Sequence, residues 1–220
     1  MPAGTQRVTF PAAGGGPRLT GVLHLPGTPS PCPAAVVCHP HPLMGGTMDS
    51  AVVVTVCRAL AARGWASLRF DFRGAGRSAG SFDEGRGEMD DVAGALDFLC
   101  SRPEIDGQRL AVVGYSFGAG VGLHYAATNG RPRWMVGIAL VQAHYADPFL
   151  DADLRPKLFI AGAHDPWAPP EPLRAYVARL QPPATLRVIQ DTDHLFGGCE
   201  SKLAGIAVDW LQDQDETRQT

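Results

Sequence analysis

Short apolar runs that alternate with segments of helical spacing constrain this chain more than any other feature. Ala34-Ala35-Val36-Val37-Cys38 and Leu110-Ala111-Val112-Val113 are continuously apolar. A strand with one wet face alternates apolar and polar residues, whereas a strand covered on both faces does not. Residues 65–70, 134–141, 157–161 and 185–189 read as further strands of this buried kind. Between them lie segments that read as helices. The first ends at Ala62, with Asp49 or Ser50 as its cap and Gly64 as its stop. The next, 88–100, carries Val92, Leu96 and Leu99 on one stripe, and 116–127, 171–180 and 200–212 follow. Ahead of the alternation, strands at 7–10 and 19–25 flank the turn Gly14-Gly15-Gly16-Pro17, which predicts a hairpin, and 26–33 is a Pro-rich connector. The expected fold is α/β: a mostly parallel twisted sheet of about eight strands with helices on both faces. No internal repeat or low-complexity tract interrupts it, so residues 1–220 are expected to form one domain.

Composition narrows the function classes. The chain has 220 residues, 45% of them hydrophobic, and a formal net charge of -3. Lys and Arg are scattered with no basic stripe, which argues against nucleic acid. No apolar run approaches bilayer length, and the first ten residues hold no apolar signal core, so no membrane partner and a cytoplasmic location are expected. Cys32, Cys38, Cys57, Cys100 and Cys199 are odd in number and widely spaced, without a CxxC pair. That pattern suits neither a disulfide framework nor a zinc site.

Gly114-Tyr115-Ser116-Phe117-Gly118 matches G-x-S-x-G. It follows a buried strand and opens a helix rich in small residues. A tight strand-to-helix turn lifts the serine hydroxyl above the sheet, and the helix N-terminus behind it favours developing negative charge. A serine hydroxyl is a poor nucleophile until a base takes its proton. In a sheet of this kind the acid and then the base follow the serine along the chain. Of the seven His, His164 and His194 lie in late loops. His194 stands just past the last expected strand and is read as the base. Asp165, at the C-terminal end of the strand 157–161, is read as the acid that orients it. Asp191 and Asp193 are too near His194 in sequence and are read as turn formers.

An oxyanion hole needs backbone N–H donors: one from Phe117, the residue after the serine, and one from the loop after the early buried strand. That loop is His39-Pro40-His41-Pro42-Leu43-Met44-Gly45-Gly46-Thr47-Met48-Asp49. Proline has no N–H, which leaves His41 and Leu43; with His41-Pro42 treated as the slot where many enzymes with such a serine turn carry His-Gly, Leu43 is the expected donor. His39 and His41 lack companion Asp, Glu or Cys at ligand spacing and are read as loop braces, so no metal is expected. Arg73-Gly74-Ala75-Gly76-Arg77-Ser78 lacks the GxxxxGK[ST] pattern and is read as a structural turn, not a phosphate loop.

With Ser116, Asp165 and His194 together, the chain resembles the α/β-hydrolase superfamily from about Arg7 to Leu211. The 39–49 loop and Phe70-Asp71-Phe72-Arg73-Gly74-Ala75-Gly76-Arg77-Ser78 look like the small, capless bacterial hydrolases. The size is also similar to that of dienelactone hydrolases, which carry Cys where this chain has Ser116. The resemblance implies hydrolysis of small carboxylic esters or thioesters through an acyl-enzyme, without a cofactor. A peptidase or acyltransferase with the same residues, or an inactive binding protein on this fold, are the alternatives, in a monomer or homodimer. The short gap between strands 134–141 and 157–161 leaves no room for a lid, and offers Tyr145, Phe149 and Leu150 as wall residues.

Overall fold

A computed structural model describes residues 4–27, 30–181 and 184–217. Eight strands form one sheet in the order β1-β2-β4-β3-β5-β6-β7-β8. They are β1 (Gly4–Pro11), β2 (Arg18–Leu25), β3 (Cys32–Cys38), β4 (Ala66–Phe70), β5 (Ile105–Tyr115), β6 (Trp134–Ile138), β7 (Lys157–Gly162) and β8 (Ala184–Ile189). β1 pairs antiparallel with β2, and β2 antiparallel with β4; from β4 through β3 to β8 every pairing is parallel. The helices are α1 (Ala51–Ala62), α2 (Arg86–Cys100), α3 (Phe117–Asn129), α4 (Pro170–Arg179) and α5 (Glu200–Glu216).

The continuous apolar runs have a direct cause. On β3, Ala35 and Val37 pack with α1 and α5, while Ala34, Val36 and Cys38 face α2 and α3. β5 divides the same way: Ala111 and Val113 on one side, Leu110 and Val112 on the other. α4 closes the second face further along, where Leu173 and Tyr176 meet Leu123 and Phe159. Each Leu or Val so buried stabilises the fold by roughly 1.5–3 kcal/mol before the entropy of ordering is charged against it.

Strand order sets where a site can form. From β3 the chain moves outward to β4, then returns so that β5 lies on the other side of β3. The loops leaving β3 and β5 therefore diverge, and a crevice opens at their C-terminal ends. Cys38 and Gly114 are register partners there, so the 39–49 loop and Ser116 emerge side by side.

Some boundaries differ from the sequence-based expectation. β3 starts at Cys32, inside the expected Pro-rich connector. β6 stops at Ile138 because Ala139 turns into the left-handed region at φ 49°. Ser50 holds the cap position of α1 but not a capping bond; its hydroxyl accepts from the Thr47 N–H instead. Between Ile138 and Lys157 the chain makes two short 3₁₀ turns and no lid. Among the described residues no helix is long and apolar enough to cross a membrane.

Candidate active site

Ser116 sits between β5 and α3 with φ 56° and ψ -116°, a conformation an L-residue adopts only under constraint. Packing supplies the constraint. The Ser116 N–H donates to the Ile138 carbonyl at 2.8 Å, tying the turn to β6. A Cβ on Gly114 would approach the Gly118 carbonyl to 2.2 Å, and one on Gly118 would meet the carbonyls of Cys38 and His39 at 2.5 Å. Both glycines are required because strand, helix and the β3 terminus touch backbone to backbone.

The structure brings Ser116, His194 and Asp165 together. His194 Nε2 lies 2.9 Å from Ser116 Oγ, and His194 Nδ1 lies 2.8 Å from Asp165 Oδ2. A carboxylate can only accept, so Nδ1 carries the ring proton and Nε2 is left to accept from the serine hydroxyl. The other oxygen, Asp165 Oδ1, accepts from the N–H groups of Trp167 and Ala168 at 2.9 and 2.8 Å. All three side chains are buried: Ser116 is 8% exposed, His194 7% and Asp165 2%. Asp193 Oδ1 accepts from the Leu195 N–H, shaping the turn, and His164 is exposed.

Residues that the sequence did not mark complete this arrangement. Tyr115 Oη donates to the His194 carbonyl at 2.8 Å and fixes the backbone of the imidazole loop. The Trp167 ring meets the His194 ring edge to face at 4.8 Å. Tyr115 occupies the variable position before the serine, and Trp167 lies two residues past the acid; neither position carries a motif that signals its contact.

The 39–49 loop forms the opposite wall. His39 is fully buried, and its Nε2 accepts from the Phe72 N–H at 3.0 Å. Its Nδ1 therefore carries the proton and donates to the Pro40 carbonyl at 2.6 Å. Burial holds this imidazole down at a pKa of about 4, well below its ordinary value. Asp71 Oδ1 accepts from the Met48 N–H, and Arg69 donates to the Met48 carbonyl and to Asp49. Asp71 has room because Gly76 has no Cβ, which would stand 2.0 Å from the carboxylate. The 73–78 segment is a turn beside this brace, and Arg73 pairs with the buried Asp91.

Leu43 does not suit the donor role expected for it. Its N–H donates to His41 Nδ1 at 3.2 Å, and the residue is 72% exposed and does not line the cavity. The cause is the 3₁₀ turn at Pro42–Met44, which turns the Leu43 N–H back onto the His41 side chain. His39 occupies the buried slot at the end of β3, so His39-Pro40 stands there, two residues before the pair that the sequence reading placed in it. The residue after that slot is His41, which lines the cavity and whose N–H has no partner among the described residues. Phe117, at the first position of α3, also lines the cavity.

The cavity over Ser116 has a volume of about 620 Å³, within the range of small-molecule sites. Pro40, His41, Met44, Phe82, Glu84, Tyr115, Val141, His144, Trp167 and Leu195 are among its walls. Tyr145, Phe149 and Leu150, expected as walls, lie elsewhere: Leu150 and Tyr145 are buried in the core and Phe149 stacks on His124. The 3₁₀ turn at Gln142–His144 takes their place by presenting Val141 and His144. Among the described residues no group of three or more His, Cys, Asp or Glu side chains could hold a metal ion.

A family model described as serine aminopeptidase, S33, matches residues 31–151. A protein of unknown function from Agrobacterium tumefaciens, described as an α/β hydrolase, is 33% identical. It superposes with a TM-score of 0.86 over 97% of this chain and 98% of its own. A serine hydrolase without a lid from Xanthomonas campestris is 31% identical, with a TM-score of 0.81 over 97% of this chain and 96% of its own. A protein of Rickettsia prowazekii, RP471, is 42% identical over 91 residues, which are 41% of this chain. The chain spans 38% of the length of the curated relatives it matches.

Proposed function

The chain belongs to the α/β hydrolases described by the serine aminopeptidase S33 model, in a form without a lid, and from that premise we propose that it cleaves carboxylic esters or thioesters through an acyl-enzyme on Ser116. The observation that carries the proposal is the buried relay from Ser116 Oγ through His194 to Asp165, at 2.9 and 2.8 Å, under a largely apolar cavity.

In this reading His194 Nε2 takes the hydroxyl proton as Ser116 Oγ attacks the acyl carbon. Asp165 holds the ring in the required tautomer and stabilises the imidazolium. Charge develops on the carbonyl oxygen, where the N–H groups of Phe117 and His41 would receive it. The imidazolium then protonates the leaving oxygen or sulfur, the acyl-enzyme forms, and a water activated by His194 releases the acid. No cofactor enters this sequence. Among the described residues the cavity walls include no Lys or Arg, which favours neutral esters over polyphosphorylated thioesters such as acyl-CoA.

Ser116→Ala should lower kcat on a short p-nitrophenyl ester by about 10⁶-fold, and should abolish labelling by a fluorophosphonate probe. A variant that retains near-native turnover would reject the serine mechanism.

One observation favours a peptidase as the second reading. Glu84 is an acidic side chain in the cavity wall, paired with the exposed Arg86 at 3.6 Å, and a carboxylate there would attract the free α-ammonium of an N-terminal residue in competition with that pair. If so, aminoacyl p-nitroanilides with a free amine should exceed their N-acetylated forms in kcat/KM, and Glu84→Gln should erase the preference. Equal turnover of both forms leaves the ester reading standing.

A further inference from the structure

A second hollow of about 210 Å³ lies against the substrate cavity. Glu84, Phe117 and His144 line both, so these side chains are the partition between them. Phe117 is locked in place, its ring 5.0 Å from His41 and 5.7 Å from Phe72. The Glu84 side chain is 75% exposed and closes little. His144 is what remains as the wall.

Its imidazole lies directly on α3 at Gly120. A Cβ there would come within 2.3 Å of Nε2, so the missing side chain is what admits the ring. The ring has no hydrogen-bond partner among the described residues; packing on α3 holds it, with Asp147 and His124 near enough to act on it electrostatically. Burial lowers its pKa, so at neutral pH it is an uncharged plate. Behind it, Met89 and Val121 give the second hollow hydrocarbon walls, with Arg86 and His124 also on its lining.

We propose that His144 sets the longest unbranched chain the site accepts, by closing the cavity over Ser116 off from the second hollow. The proposal rests on the reading of the site as an ester hydrolase. Its substrates are then esters of short to medium apolar chains, which fit the first cavity alone. Removing the ring would let a longer chain pass onto Met89 and Val121. Each methylene buried there would raise binding roughly fourfold.

The test compares kcat/KM for p-nitrophenyl butyrate and decanoate in the wild type, His144→Ala and His144→Phe. The decanoate-to-butyrate ratio should rise about tenfold or more in His144→Ala, and should stay at or below the wild-type ratio in His144→Phe. An unchanged ratio in His144→Ala overturns the proposal. Should the alanine variant not fold, His144→Asn, which also opens the partition, takes its place under the same criterion. A calorimetric arm reads the cavity without turnover, by titrating butyric and decanoic acids into Ser116→Ala and into the Ser116→Ala, His144→Ala double variant. Tighter decanoate binding confined to the double variant supports the wall; equal binding, or none, overturns it. Absence of ester turnover in the wild type would remove the ester reading and leave the binding arm to decide about His144.

Discussion

Asp165 and Asp193 are two carboxylates near one histidine, and their hydrogen bonds separate them. Asp165 uses Oδ2 on His194 Nδ1 and Oδ1 on two backbone N–H groups, so it is oriented at both ends. Asp193 spends Oδ1 on the Leu195 N–H of its own turn. Asp165→Asn replaces an acceptor with an amide that can donate to Nδ1, which favours the wrong imidazole tautomer. It should lower kcat by about 10⁴-fold. Asp193→Asn keeps an oxygen able to accept from Leu195 and should change kcat by less than about tenfold. Steady-state kinetics on one short ester ranks the two, and the reverse ranking would move the orienting role to Asp193.

The 39–49 loop acts as one element because its ends are tied to β4 and the segment after it. His39 takes the Phe72 N–H, Asp71 takes the Met48 N–H, and Gly46 closes the loop on the His41 carbonyl at 3.0 Å. This bracing holds His41 in the cavity wall and leaves the Leu43 N–H on the His41 ring. In a crystal structure with a phosphonate bound to Ser116, the phosphonyl oxygen should lie within about 3 Å of the His41 and Phe117 nitrogens. An oxygen on the Leu43 nitrogen instead would restore the sequence-based assignment. Its occurrence would also require the 3₁₀ turn at Pro42–Met44 to unwind.

At the scale of the whole molecule, two buried histidines make the fold sensitive to acid. His39 and His24 are both held near a pKa of about 4, each chiefly by burial, against 6.5 when free. The unfolded chain binds these protons first as the pH drops. Stability from each is therefore complete above pH 6.5, falls as the pH is lowered, and is gone below the folded value of about 4. For fully buried His39 the loss is about 3 kcal/mol across that window. Urea midpoints at pH 7.5 and 4.5 should show the decline. His39→Gln keeps an acceptor for the Phe72 N–H but cannot titrate, so its decline should be shallower. An equal slope in both proteins would mean that His39 is not the titrating group.

The sequence by itself determined the sheet, its burial on both faces and the position of the serine. Those depend on local chemistry: Ala34 to Cys38 and Leu110 to Val113 can be buried on both sides only as inner strands, and Gly114 and Gly118 mark a turn too tight for side chains. The late His and Asp were legible because chain order restricts which loops reach the crevice. The tertiary structure alone decided the rest. Leu43 and His41 are two residues apart and equally able to donate, and only the 3₁₀ turn, with the Leu43 N–H turned onto the His41 side chain, separates them. Tyr145 and Leu150 looked like cavity walls but went to the core, while His144 reached the cavity because Gly120, on a helix two dozen residues earlier, left space for its ring. A backbone N–H has the same chemistry in every residue but proline, and the space beside a side chain belongs to its neighbours; sequence records neither until the chain has packed.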